Sequence, residues 1–231
     1  TAQWRRIRAG EPTDDPVLRL AHRAFSRYAI PDAHAEAFFA SMAMDTDVDR
    51  YETYEAVCRY MYGSAAVVGR MLVHLFGAPS EEAFVAADAS GYAMQWTNFL
   101  RDIDEDWQER RRVYLPQDRL RAHALSVDDI AARRWSPAFA ALMQEEAARA
   151  DALYEKAYAG LRFLRPEARL GVLVAGRLYQ AILRRLERQG GNPFAGRART
   201  SFPEKAAIAV RCSFELQRRF QGSSSAYGSQ A

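Results

Sequence analysis

The sequence predicts an all-α protein, and three observations carry that reading. Apolar residues recur at three- and four-residue intervals along nearly the whole chain. Strand-like alternation is nowhere sustained, and Gly and Pro fall between the periodic runs rather than inside them. No Gly/Ser-rich or Pro-rich linker and no internal repeat divides the 231 residues, which suffice for one large core. The expected organisation is a single helical domain over residues 1–221 and a disordered tail, GSSSAYGSQA, over 222–231.

Taken in order, Asp14 or Asp15 followed by Pro16 reads as a cap with Pro at the first helical position, opening a helix through Tyr28. Pro31-Asp32 restarts the chain into a helix through Met44, and the acidic stretch DTDVDRYET connects it to a long helix from Tyr54 to Phe76. Ser80-Glu81-Glu82 opens the next run, whose periodicity continues to Trp107 with a kink expected near Gly91. Pro116 disfavours helix at Leu115, so VYLPQD is extended. Ser126 caps a short helix ending near Arg134. Ser136-Pro137 starts a helix through Leu161, Pro166 one through Gln189, and Phe202-Pro203 the last, to Phe220.

Composition removes several function classes. A net charge of +3 is too small for a nucleic-acid binder. Cys58 and Cys212 are too few for a disulfide framework or a zinc site and read as buried thiols. His22, His34, His74 and His123 show no ligand spacing. No apolar run approaches the ~18 residues of a membrane span, and TAQWRRIRAGEPTDD has no signal-peptide core, so a cytoplasmic location is expected. The chain begins without Met, so further residues are expected upstream of Thr1.

The informative stretch is GYAMQWTNFLRDIDEDWQERRRVYLPQD, residues 91–118. At 100° per residue, Gln95, Asn98, Asp102 and Asp106 share one stripe with Glu105 at its edge, while Trp96, Leu100, Ile103 and Trp107 lie opposite. A solvated acidic face is one reading. Oxygen ligands at i, i+4 and i+8 for a hard divalent cation are the other, since Mg²⁺ takes one or two carboxylates and completes its shell with water or phosphate oxygens. Mutual repulsion along the stripe favours a neutralising cation. Asp102-Asp104-Asp106 and Asp45-Asp47-Asp49 have calcium-loop spacing, but Trp107 or Arg50 stands where the turn glycine belongs, and Val113 or Ala56 where the final Glu belongs.

The spacing of Gln95, Asn98, Arg101, Asp102 and Asp106, followed by Arg112-Val113-Tyr114-Leu115-Pro116, resembles the second aspartate-rich signature of the squalene/phytoene synthase family, closest to its bacterial phytoene synthases. The likeness extends through MAMDTDVDRYETYEAVCRYMYGSAAVVGRMLVHLFG upstream and VAGRLYQAILRRLERQGGNPF downstream. It implies an isoprenoid-synthase helical bundle around a central cavity. It also implies Mg²⁺, with Mn²⁺ as an alternative, held by Asn98, Asp102 and Asp106 against prenyl diphosphate substrates, with Gln95 beside them. Asp102 and Asp106 become the catalytic pair.

On the same resemblance Tyr60, Ser64, Ala65 and Gly69 line the prenyl cavity, close helix packing being the alternative for the small residues. Tyr179 stands near the diphosphate, and Arg112, Arg199 and Lys205 bind its oxygens or are ordinary surface charge. The implied reaction joins two geranylgeranyl diphosphates head to head into phytoene through a cyclopropyl diphosphate, without NADPH. A squalene-type enzyme using C15 substrates, or an inactive member serving as a binding or assembly protein, are the alternatives. Lipid substrates imply peripheral membrane association. The family's first aspartate-rich motif has no counterpart here and is expected upstream of Thr1.

Overall fold

A computed structural model describes residues 2–77 and 79–221; the tail expected over 222–231 lies outside them. Twelve α-helices follow one another: α1 (Ala2–Arg8), α2 (Pro16–Arg27), α3 (Asp32–Asp47), α4 (Tyr54–Met61), α5 (Val67–Phe76), α6 (Glu81–Arg101), α7 (Ile103–Arg110), α8 (Gln117–Ala122), α9 (Val127–Ala131), α10 (Pro137–Ala159), α11 (Pro166–Arg188) and α12 (Phe202–Gln221). Among the described residues there is no strand, only isolated bridges joining Arg50 to Val113 and Gly77 to Leu164. The all-α expectation holds.

Helix starts fall where side chains satisfy free N–H groups. The Asp15 carboxylate accepts from Val17 N at 2.8 Å and Leu18 N at 3.1 Å. Ser80 Oγ accepts from Ala83 N and Ser136 Oγ from Phe139 N, each at 3.2 Å. Ser126 and Asp129 form a reciprocal capping box at α9.

α6 and α10 share the largest interface and form the centre of the bundle. Trp96, Leu100, Phe139, Leu142 and Tyr154 fill it, and each such side chain contributes roughly 1.5–3 kcal/mol by burial. Thr97 Oγ1 and the Tyr154 hydroxyl satisfy each other at 2.8 Å across this contact. A smaller cluster of Trp4, Phe25, Ile30 and Ala35 ties α1, α2 and α3 together.

The arginine-rich start, for which the sequence predicts no element, forms α1, with Trp4 and Ile7 buried along it. Two expectations change. The helix expected over 54–76 contains a π-helical turn, Tyr62–Ala66. The turn packs tightly against α3: a β-carbon on Gly63 would lie 2.2 Å from Ala37 O, and Ser41 Oγ donates to Tyr60 O at 3.0 Å. Finally, α6 runs unbroken through Gly91, and the bend falls at Asp102 (φ −102°, ψ 13°).

Candidate active site

The bend at Asp102 does not dissolve the stripe. Asp102 N donates to Asn98 O at 2.9 Å and Asp106 N to Asp102 O at 2.8 Å, so the i→i−4 ladder continues from α6 into α7. Asn98, Asp102 and Asp106 therefore remain on one face, with half-buried Gln95 a turn before them. Asp106 is buried. Burial first, and the Asp102 charge second, push its carboxyl up to about 6, although Arg110 accompanies it at 3.0 Å.

Arginines occupy much of this face. Arg101 grips Asp102 with Nε on Oδ1 at 2.7 Å and a second N–H on Oδ2. Arg197, from the segment before α12, donates Nε to the same Oδ1 at 2.9 Å and a terminal nitrogen to Oδ2 at 3.1 Å, and it reaches Glu105 Oε2 at 3.0 Å. The like-charge repulsion that favours a metal on sequence grounds is thus largely met by guanidinium groups.

What remains for a cation is specific. Asn98 Oδ1 is fully buried with no hydrogen-bond partner. The donor set of one amide and two carboxylates is what Mg²⁺ accepts when other oxygens complete its shell. No cluster of three or more His, Cys, Asp or Glu side chains arranged to enclose a metal exists among the described residues. The residues present fit an open site.

The other predicted residues divide between two places. Gly69 lines a partly open apolar cavity of about 100 Å³, together with Leu72, Ala86, Ser90, Tyr158 and Gly176. Eight residues separate Ser90 from Asn98 on α6, or about 12 Å at 1.5 Å per residue. Tyr60, Ser64 and Ala65 do not line that cavity. Ser64 Oγ is buried without a partner in the π-turn, and Ala65 meets Gly91.

Tyr60 donates its hydroxyl to Asp45 Oδ2 at 3.2 Å, and Arg112 donates to Asp45 Oδ1 at 3.0 Å and to the Tyr114 hydroxyl at 2.9 Å. The Arg112 guanidinium is therefore committed to Asp45, a residue with no assigned chemistry in the sequence. Tyr179 is half-buried and stands near the Arg101 guanidinium. Arg199 and Lys205 are exposed. Sequence reasoning missed Arg197; only the alternating arginines of GRART marked the segment.

An all-α bundle with a polar oxygen-bearing stripe about 12 Å along one helix from an apolar cavity defines a class of helical protein with a polar and an apolar recognition surface on the same helix. The family model described as squalene/phytoene synthase matches residues 1–204, and the chain belongs to that family. It is 38% identical over 188 residues to the phytoene synthase of Thermus thermophilus, covering 80% of this chain and 63% of that protein. It is 32% identical over 213 residues to the 15-cis-phytoene synthase of Enterobacter agglomerans, covering 92% and 70%.

The crystal structure of squalene synthase HpnC from Alicyclobacillus acidocaldarius superposes with a TM-score of 0.78 at 29% identity, over 82% of this chain and 72% of that one. A dehydrosqualene synthase crystallised with a ligand reaches a TM-score of 0.87 at 24% identity, over 94% and 76%, and speaks for the fold alone. The chain spans 63% of the Thermus protein and 60% of phytoene synthase 2 from Solanum lycopersicum.

Proposed function

We propose that the protein acts in head-to-head condensation of two geranylgeranyl diphosphates to phytoene, through a cyclopropyl diphosphate. The observation that carries this reading is the buried, unpartnered Asn98 Oδ1 on one face with Asp102 and Asp106, along α6 from an apolar cavity. Phytoene synthases among the relatives support the C20 substrate.

Asn98, Asp102 and Asp106 would hold Mg²⁺, or Mn²⁺ in its place, and the bound ion would supply the positive charge that makes a diphosphate a better leaving group. The C–O bond of the first prenyl group breaks to give an allylic cation and free diphosphate. The protein's own residues then govern the outcome. Gly69 lets α6 approach α5 closely and Gly176 lets the Tyr158 ring seat against α11, which closes the cavity wall, and the apolar lining keeps water from the allylic cation. The double bond of the second substrate adds to that cation and a proton leaves, closing the cyclopropane. A second C–O ionisation, rearrangement and proton loss give the hydrocarbon. No reductant enters this sequence, so NADPH has no role.

The squalene-type relative in the solved structures favours a second reading with C15 substrates. Incubating the full-length protein with C15 and C20 diphosphates and Mg²⁺, then extracting the products, separates the two. Phytoene is expected; exclusive C30 product overturns the C20 reading.

No helix among the described residues is long and apolar enough to cross a membrane. Peripheral attachment is instead assigned to α12. Phe202, Val210 and Phe214 stand exposed along its i, i+4 spacing, flanked by exposed Lys205, Arg211 and Arg218. An apolar stripe with basic margins suits the surface of an anionic bilayer. Vesicles containing phosphatidylglycerol should sediment the protein, and Val210→Asp with Phe214→Asp should release it. Equal binding by the double variant removes the assignment.

A further inference from the structure

Asp102 already holds cations. A carboxylate offers about four lone-pair sites on its two oxygens. Arg101 fills one on each oxygen, and Arg197 fills the other on each, at 2.9 and 3.1 Å. A divalent ion reaches Asp102 only if one guanidinium withdraws.

The two arginines are not equally free to do so. Arg101 is the last residue of α6, adjacent in the chain to Asp102, and its side chain is 14% exposed. Arg197 is 37% exposed and sits in non-helical chain between α11 and α12. It follows Gly196, whose φ of +119° and open surroundings suit a pivot. Ala198, 1% exposed, pins the chain just beyond it. The Arg197 side chain can leave Asp102 without disturbing a helix.

From this geometry we infer that Arg197 is a resident counterion of the metal site, displaced when a divalent cation binds. The inference rests on the metal role proposed above for Asn98, Asp102 and Asp106. In the free protein Arg197 neutralises Asp102 and Glu105, so the acidic face is folded without metal. On metal entry its guanidinium is released, which couples occupancy of α6 and α7 to the segment leading into α12. The cost of breaking this pair lowers metal affinity.

Mn²⁺ titration followed by electron paramagnetic resonance tests the idea without any turnover. Arg197→Ala should bind Mn²⁺ about fivefold more tightly, the scale of a partly exposed ion pair. Arg197→Lys, a point charge that cannot fork across both oxygens, should fall between. Arg133→Ala, which removes the same charge from nearby Asp104, should leave the affinity unchanged. In the wild-type protein Mn²⁺ should also speed tryptic cleavage at Arg197.

Equal or weaker binding by Arg197→Ala, with binding still abolished by Asp106→Asn, overturns the counterion role and leaves the metal site standing. Absence of Mn²⁺ binding in every form overturns both. An equal gain in Arg133→Ala reduces the effect to net charge and overturns the inference.

Discussion

Gly91 of α6 meets Ala66 backbone to backbone: a β-carbon at position 91 would stand 2.6 Å from the Ala66 Cα and 2.7 Å from its nitrogen. In an unencumbered helix, Gly→Ala gains about 1 kcal/mol. Here the neighbour is main chain and has no side chain to swing aside. Gly91→Ala should therefore destabilise the protein by about 1–3 kcal/mol in urea denaturation. A gain in stability would mean that the two helices are not seated this closely.

The three acidic positions of α7 and its entry should respond differently. Asp102→Asn and Asp106→Asn should each reduce Mg²⁺-dependent activity of the full-length protein by orders of magnitude. Their stabilities should part company. Asp106 is buried beside another carboxylate, so Asn should leave the metal-free fold as stable or more so. Asp102 is held by two arginines, and Asn should cost about 1–3 kcal/mol. Asp104 pairs with Arg133 at 3.1 Å on a half-exposed flank, so Asn should keep activity and cost under about 1 kcal/mol. Equal, mild losses at all three positions would describe a solvated face.

Glu146 of α10 is completely buried between Arg119 at 3.0 Å and Arg149 at 2.8 Å. Glu146→Gln keeps the shape and removes the charge both guanidiniums need. Loss of about 3 kcal/mol is expected, because the arginines are left partly desolvated. Calorimetry showing an unchanged melting temperature would mean that water takes over both contacts.

His34 supplies a pH dependence. Burial first, then the neighbouring His74 and Arg70, lower its pKa below the usual 6.5, with Asp88 opposing. A depressed value means the folded state prefers the neutral ring. That stability is present above the unfolded value and is lost as pH falls through the folded one. Melting temperatures should drop between about pH 7 and 5, and His34→Leu should flatten part of that drop. An identical drop in the variant would assign it to other groups.

Helix starts were legible because their causes are local. Asp15, Ser80 and Ser136 each satisfy an N–H group two or three residues away. The Asn98–Asp102–Asp106 face was legible for the same reason, as a helical period. Arg197 was not, since its partner lies 95 residues away and no spacing rule joins them. The Arg112 pair with Asp45 was equally out of reach, since 67 positions separate the two in the chain. The kink expected at Gly91 failed because glycine there serves close approach, not bending. The bend at Asp102 has no residue type that announces it.

The π-turn at Tyr62–Ala66 changes how this chain tolerates insertion and deletion. Loops ordinarily absorb a change of length, and helices a change of side chain. A π-turn carries about one residue more than an α-turn, so it sets the rotational phase between Tyr60 before it and Gly69 after it. Removing any one of its residues would leave a better helix and turn the following face by about 100°. Gly69 would then leave the cavity wall and bulkier neighbours would enter it. Drift in this segment is thus closed in length, and at Gly63 closed in identity as well, so homologous chains should align through it without gaps.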